Sequence, residues 1–208
     1  MFGGSGKKKE NDLEDELFIF TRYKPGGLDS LCKGSHFNKK EIRLMYQGFK
    51  QECPSGFCTE EDFKLIFAKY FPQGDATKYA HLVFKTFKSL SCHQTGVLNF
   101  EQFLNMLSSL SRGSLLEKLR WIFALYDING DGFISKQEML VIVSAIYDML
   151  GDYVIPYVDS VAPKDHVERL FHLIDADKDG VISFDEFTEW CKKDEDRAQA
   201  LLMFDTIF

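Results

Sequence analysis

Apolar side chains recur along this chain at i, i+3, i+4 and i+7, the spacing that puts them on one face of an α-helix. The first set is Ile42, Met45, Tyr46 and Phe49, and Asn38 with Glu41 ahead of it has the form of a capping box. The same spacing returns at Phe63, Ile66, Phe67 and Tyr70, at Ala80, Val83, Phe84 and Phe87, and at Phe103, Met106, Leu107 and Leu110. In the second half it gives Leu119, Ile122, Phe123 and Tyr126, then Met139, Ile142, Val143 and Ile146, then Val167, Leu170, Phe171 and Ile174. Polar stretches interrupt these faces, each with a glycine at a comparable place: Gly56, Gly96, Gly132 and Gly180. The pattern predicts an all-α chain of four repeated helix–loop–helix units, with short β bridges between paired loops and a further helix at the C-terminus.

Two of the interrupting stretches carry chemistry. In Asp127–Glu138, DINGDGFISKQE, oxygen-bearing side chains fall at loop positions 1, 3 and 5 (Asp127, Asn129, Asp131). Gly132 takes the sharp turn, Phe133 offers its backbone carbonyl, Ser135 acts directly or through a water, and Glu138 can close the shell with both carboxylate oxygens. Asp175–Glu186, DADKDGVISFDE, repeats the arrangement with Asp175, Asp177, Asp179, Val181, Ser183 and Glu186. A hard divalent cation needs this many oxygens, so both read as EF-hand calcium loops, one Ca2+ each, that Mg2+ can also enter. The second has four acidic ligand side chains where the first has three and Asn129, which favours tighter binding there.

The other two stretches have lost their ligands. With Gly56 at position 6, Gln51, Cys53 and Ser55 stand at positions 1, 3 and 5, Pro54 lies inside the loop, and Asp62 is the one acid, at position 12. With Gly96 at position 6, the corresponding residues are Ser91, His93, Thr95 and, at position 12, Gln102. These loops are expected to persist as structural hairpins, Val97–Leu98 against Phe57–Cys58. Adjacent Cys92 and His93 make a poor zinc pair without a second pair of ligands. The chain therefore divides into a variable segment (residues 1–27), a metal-free pair (28–110), a calcium-binding pair (115–191) and a C-terminal helix (192–208), with a hinge at Ser111–Ser114.

A net charge of −7 disfavours nucleic acid and bare anionic lipid as partners. Lys7–Lys9 are followed by acids and read as a solvated tail. No signal-peptide pattern opens the given sequence, no apolar run spans a membrane, and Phe2 stands where N-myristoylation needs a glycine. With five scattered cysteines this predicts free thiols in a reducing, intracellular compartment. No nucleophile–base constellation is visible, so the chain is read as a binding protein and not an enzyme.

The metal-free half is rich in large apolar residues: Ile42, Met45, Phe49, Phe63, Phe67, Tyr70, Phe84, Phe87, Phe103 and Met106. Part of this set must fill the core; the remainder predicts an apolar groove for a partner segment. Leu201, Leu202, Phe204 and Phe208 near the C-terminus have the character of a built-in occupant of that groove.

A metal-free first loop with Cys-Pro, in YQGFKQECPSGF, resembles the neuronal calcium sensor superfamily. FPQGDATKYAHLVF, EKLRWIFALYDINGDGFISKQEML, AIYDMLG, APKDHVERLF and KKDEDRAQALLMF are most similar to the Kv channel-interacting proteins. The resemblance implies a cytoplasmic protein, peripheral at the plasma membrane through its partner. That partner would be the cytoplasmic N-terminal segment of a Shal-type, A-type voltage-gated potassium channel, whose gating and surface expression it modulates. Other calcium-sensor targets, an enzyme or a repressed promoter, and self-association stand as alternatives. The chain departs from the family at its second loop, where Lys88-Ser89-Leu90 reads as an insertion and the acids are gone.

Overall fold

The computed structural model describes residues 25–90, 96–151 and 163–193. A short helix α1 (Leu28–Gly34) leads into α2 (Lys39–Glu52), β1 (Phe57–Thr59) and α3 (Glu60–Tyr70). The second unit is α4 (Thr77–Leu90), β2 (Val97–Asn99) and α5 (Phe100–Arg112). The third is α6 (Leu115–Tyr126), β3 (Phe133–Ser135) and α7 (Lys136–Leu150), and the fourth α8 (Pro163–Ile174), β4 (Val181–Ser183) and α9 (Phe184–Lys192). This is the all-α EF-hand fold, with β1 antiparallel to β2 and β3 antiparallel to β4.

The helices start where the sequence supplies a side-chain acceptor. Asn38, Thr59, Asn99, Ser114, Ser135 and Ser183 each cap the helix that follows, in a box closed by the residue three places on. Each such cap stabilises its helix by about 1 kcal/mol. Four of these boxes join loop position 9 to position 12: Thr59 with Asp62, Asn99 with Gln102, Ser135 with Glu138 and Ser183 with Glu186. The residue that would close a metal shell is thus also the residue that starts the exiting helix, whether or not it is a glutamate.

The apolar faces close into one continuous core that runs from Leu31 to Cys191. In the first half Phe63 touches Phe67, Phe84 and Phe87 at ring-centroid distances of 4.8, 5.6 and 5.7 Å. Phe87 in turn lies 5.7 Å from Trp121 on α6, so the aromatic cluster crosses from one loop pair to the other.

The expected hinge is shorter than the sequence suggested. Ser111 and Arg112 belong to α5, leaving Gly113 and Ser114 between α5 and α6. Ser111 completes the last turn by donating its hydroxyl to the Leu107 carbonyl at 2.6 Å. The halves also meet away from this connection. The Asp75 amide donates to the Asp148 carbonyl at 2.8 Å, Lys78 pairs with the Asp148 carboxylate at 2.8 Å, and Lys85 donates to the Ile128 carbonyl at 3.1 Å. Gly74 and Gly151 allow the backbones to touch: a Cβ on Gly74 would collide with the Asp148 and Met149 carbonyls, and one on Gly151 with that of Gln73.

Candidate metal centre and apolar cavity

The loops are shaped by hydrogen bonds from backbone amides to acidic side chains. In the third unit, Asp127 accepts from the amides of Gly130 at 2.8 Å, Asp131 at 3.1 Å and Gly132 at 2.9 Å. Asp131 accepts from Phe133, and Glu138 accepts from Asn129 at 3.1 Å through one oxygen and from Ser135 through the other. The Asn129 side-chain amide leans on Asp131 at 2.8 Å. Gly132 and Gly180 take left-handed φ values of 88° and 93° at the sharp turn, a conformation that costs glycine little. Phe133 carries an exposed side chain, consistent with a position that works through its carbonyl.

The fourth loop is the more concentrated site. Asp175, Asp177 and Glu186 bring one oxygen each to within 4.8 Å of one another. Asp175 is buried, and its Oδ1 has no hydrogen-bond partner among the described residues, which leaves that oxygen available to a cation. Burial alone would raise the pKa of Glu186. The donors around it, the Ser183 amide and hydroxyl and the amides of Ala176 and Asp177, outweigh that and hold it below the usual glutamate range. The carboxylate is therefore ionised and already oriented. An oxygen that accepts one N–H keeps a second lone pair, so these donors position the ligands without consuming them.

Oxygen donors, negative charge and an orphaned buried carboxylate oxygen fit a hard divalent ion. Asp127, Asn129, Asp131 and Glu138 would hold one such ion, with the Phe133 carbonyl. Asp175, Asp177, Asp179 and Glu186 would hold another, with the Val181 carbonyl. The hydroxyls of Ser135 and Ser183 donate to Glu138 and Glu186 at 2.6 and 2.7 Å and accept the amides of the same residues. Those two serines serve the helix caps, tying position 9 to position 12 in each loop. Residues 116–192 match the family model described as the EF-hand domain pair. These residues form an EF-hand domain pair. The match implies calcium as the ion, and it covers both acidic loops, Asp127–Glu138 and Asp175–Glu186; among the described residues three carboxylates converge in the second of these.

In the first half the same framework holds different groups. Gly56 keeps the left-handed turn at φ 89°, and Cys58 pairs with Leu98 where Ile134 pairs with Ile182. Lys50 places its ammonium against the loop and donates to the Pro54 carbonyl. Ser91, Cys92, His93 and Thr95 lie outside the described residues. Lys88–Leu90, read as an insertion, continue α4 as helix.

The groove expectation needs correction. Ile42 and Phe84 are each 1% exposed and line no cavity described here; both are core. Their sequence spacing is that of their neighbours, so periodicity alone could not separate wall from core. Met45, Phe49, Phe63, Phe67, Tyr70 and Phe103 do share a cavity of about 380 Å³ between α2, α3 and α5. Phe87 and Met106 instead line a second cavity of about 420 Å³ between α4, α5 and α6, beside Glu117, Arg120 and Trp121. Ile66, Phe71, Cys58 and Leu107 also wall the first cavity and were not foreseen in that role. Ile66 and Leu107 lie on the apolar faces, so the signal existed; Phe71 stands four places after Phe67, at the C-cap of α3, and stacks on it at 5.9 Å. Leu201, Leu202, Phe204 and Phe208 fall outside the described residues, as does most of the expected C-terminal helix.

Proposed function

We propose that the chain is a calcium-sensing regulatory subunit: the second loop pair takes calcium, and the apolar cavity of the first pair receives a segment of a partner protein. The observation that carries this reading is the cavity of about 380 Å³ walled by Met45, Phe49, Phe63, Phe67, Tyr70 and Phe103, in the half whose loops have given up their metal ligands. Its size lies within the range of about 300–1,000 Å³ in which proteins hold ligands. Tyr70 stands 67% exposed at its edge, available to a partner. The work is binding, with no bond made or broken by this chain.

The finer reading follows the sequence resemblance. The partner segment is the cytoplasmic N-terminus of an A-type, Shal-type voltage-gated potassium channel, and the consequence is altered gating and surface expression. The protein would then be cytoplasmic and held at the plasma membrane by that channel. Among the described residues no helix is long and apolar enough to cross a membrane. Two calcium ions per chain, one in each ligand-complete loop, complete the proposal.

The test is a titration of this protein with a synthetic peptide of a Shal-type channel N-terminus, with calcium and with chelator. Tyr70→Ala combined with Phe103→Ala should weaken binding at least about tenfold, the loss of one or two anchoring aromatics. Unchanged affinity in the double variant removes the cavity assignment. Failure of the wild type to bind the peptide removes the channel and leaves an enzyme or a promoter complex as the target.

A further inference from the structure

The cavity of about 420 Å³ between α4, α5 and α6 has no part in the roles given so far, and it shares no lining residue with the cavity assigned to a partner segment. Its apolar side is built by Phe87 from α4, Leu98 from β2, Met106 from α5 and Trp121 from α6. The rings of Phe87 and Trp121 lie 5.7 Å apart between centroids, with their planes tilted by 33°. Together they offer aromatic surface to a flat apolar body. Leu90 also lines the cavity and is 56% exposed, so the space communicates with solvent.

The polar side is rich in donors. The Gln102 side-chain carbonyl accepts the Asn99 amide at 2.9 Å, which fixes the orientation of that side chain and leaves its NH2 group over. Asn105, Ser109 and Arg120 line the same space, and their side chains form no hydrogen bond or ion pair with any described residue. Glu117 is the one acid among the lining residues. Its Oε2 is taken by the Ser114 amide at 2.7 Å and the Ser114 hydroxyl at 2.8 Å, which commits that carboxylate to the start of α6. The guanidinium of Arg120, one turn further along, has no such commitment.

We propose that this cavity binds a small organic anion with a flat apolar body, an aryl carboxylate, at a site separate from that of the partner segment. The ring packs against Phe87 and Trp121. The carboxylate goes to Arg120, whose planar fork can give two N–H donors to two oxygens. Gln102, Asn105 and Ser109 supply further donors beside it. An organic cation would face the guanidinium, and an inorganic anion would leave the aromatic wall uncovered, so charge and apolar surface together select this class. The volume lies toward the lower end of the range of about 300–1,000 Å³ typical of ligand sites, which suits a compact free molecule. Helix α5 sends Met106 into this cavity and Phe103 and Leu107 into the other, so the anion sits one helix away from the partner site.

The experiment titrates the isotope-labelled full chain with naphthoate and, separately, with naphthamide, which keeps the rings and lacks the charge. Amide chemical shifts are followed by NMR. Saturable shifts from naphthoate are expected at Phe87, Met106 and Trp121, with no comparable change at Phe63 or Tyr70 in the other cavity. Arg120→Met should weaken naphthoate at least about tenfold, the loss of hydrogen bonds to a charged group, and should leave naphthamide unchanged. Arg120 is exposed and ties no element to another, so this variant keeps the fold. The proposal is overturned if Arg120→Met binds naphthoate as tightly as the wild type, or if it loses naphthamide to the same extent. Shifts that gather at Phe63 and Tyr70 overturn it as well. So does the absence of saturable binding at millimolar naphthoate, which would leave the cavity to a segment of protein.

Discussion

Across the first bridge Cys58 faces Leu98; across the second, Ile134 faces Ile182. Both pairs occupy loop position 8, and in both halves a capping box joins positions 9 and 12. The halves therefore share a backbone and differ in what fills it. The second gathers Asp175, Asp177 and Glu186 around one point, whereas the first sets Gln51, Cys53 and Ser55 at ligand positions and turns a lysine ammonium onto its own loop. The lesson is that an EF-hand loop keeps its caps and its bridge even where its ligand positions hold other residues.

The sharpest way to break this comparison is to remove the ion and keep the frame. Glu186→Gln and Glu138→Gln each delete a bidentate carboxylate, and calcium affinity at the altered loop should fall by at least about 100-fold, the upper range even for outer ligand-shell losses. Gln102 already closes a capping box in the second unit, through its Oε1 and the Asn99 amide at 2.9 Å. The same substitution in chelator should thus leave stability within about 0.5 kcal/mol of wild type. Calorimetric titration and urea denaturation read the two halves of this statement. A large loss of stability in chelator would show that the frame depends on the carboxylate itself.

A second experiment separates core from wall. Phe84→Ala empties a fully buried site packed against Phe63 and should destabilise the protein by about 3–5 kcal/mol. Phe103→Ala removes a half-buried ring 5.4 Å from Phe49, where the cavity already exists, and should cost less than half as much. Urea midpoints at constant m-value decide between these magnitudes. Equal losses would place Phe103 in the core as well.

The contact between halves can be tested through its glycines. Gly74→Ala should destabilise by about 1–3 kcal/mol, because its Cβ meets backbone carbonyls that cannot swing aside. Gly151→Ala should cost at least as much, since it adds a left-handed φ of 51° to the same collision. Differential scanning calorimetry should show one transition becoming two as the halves uncouple.

The smallest effect is electrostatic. Arg112 grips Glu41 with both guanidinium nitrogens, at 2.6 and 3.1 Å, tying the end of α5 to the start of α2. This hydrogen bonding, with the Asn38 amide, holds the Glu41 pKa below the usual glutamate range. A depressed carboxylate contributes stability above its unfolded pKa and loses it as pH falls through the folded value. Arg112→Gln should therefore cost a little stability at neutral pH, where the contribution is fully present, and raise the acid-unfolding midpoint by no more than about a few tenths of a pH unit. Circular dichroism across an acid titration measures both.

The helical units and the loop alignments were legible in the sequence because their signals are local. Apolar spacing set the helices, and the position-8 partners Cys58 and Leu98 follow from aligning Gly56 with Gly96. Asp175, Asp177 and Glu186 converge because a twelve-residue loop contains its own geometry. What was not legible depends on distant pairs. Nothing local distinguishes Phe84, sealed by Phe63, from Phe103, which opens on a cavity. Nor does Gly74 announce that it will meet Met149, or Lys85 that it will reach Ile128. Position 12 was read as a metal ligand alone, although Ser135 and Ser183 three places earlier carried the cap signal.

The Lys85 contact has a thermodynamic corollary. Lys85 donates to Ile128, the second residue of a calcium loop, while its neighbours Phe84 and Phe87 touch Phe63 in the cavity wall. A ligand in the cavity and an ion in the loop therefore act on opposite sides of one helix. Whatever free energy the first transmits to the second is returned in equal measure, since linkage between two binding equilibria is reciprocal. With the proposed segment in the cavity, calcium affinity would not be a constant of this chain, and a titration of the isolated protein would report only one corner of the cycle.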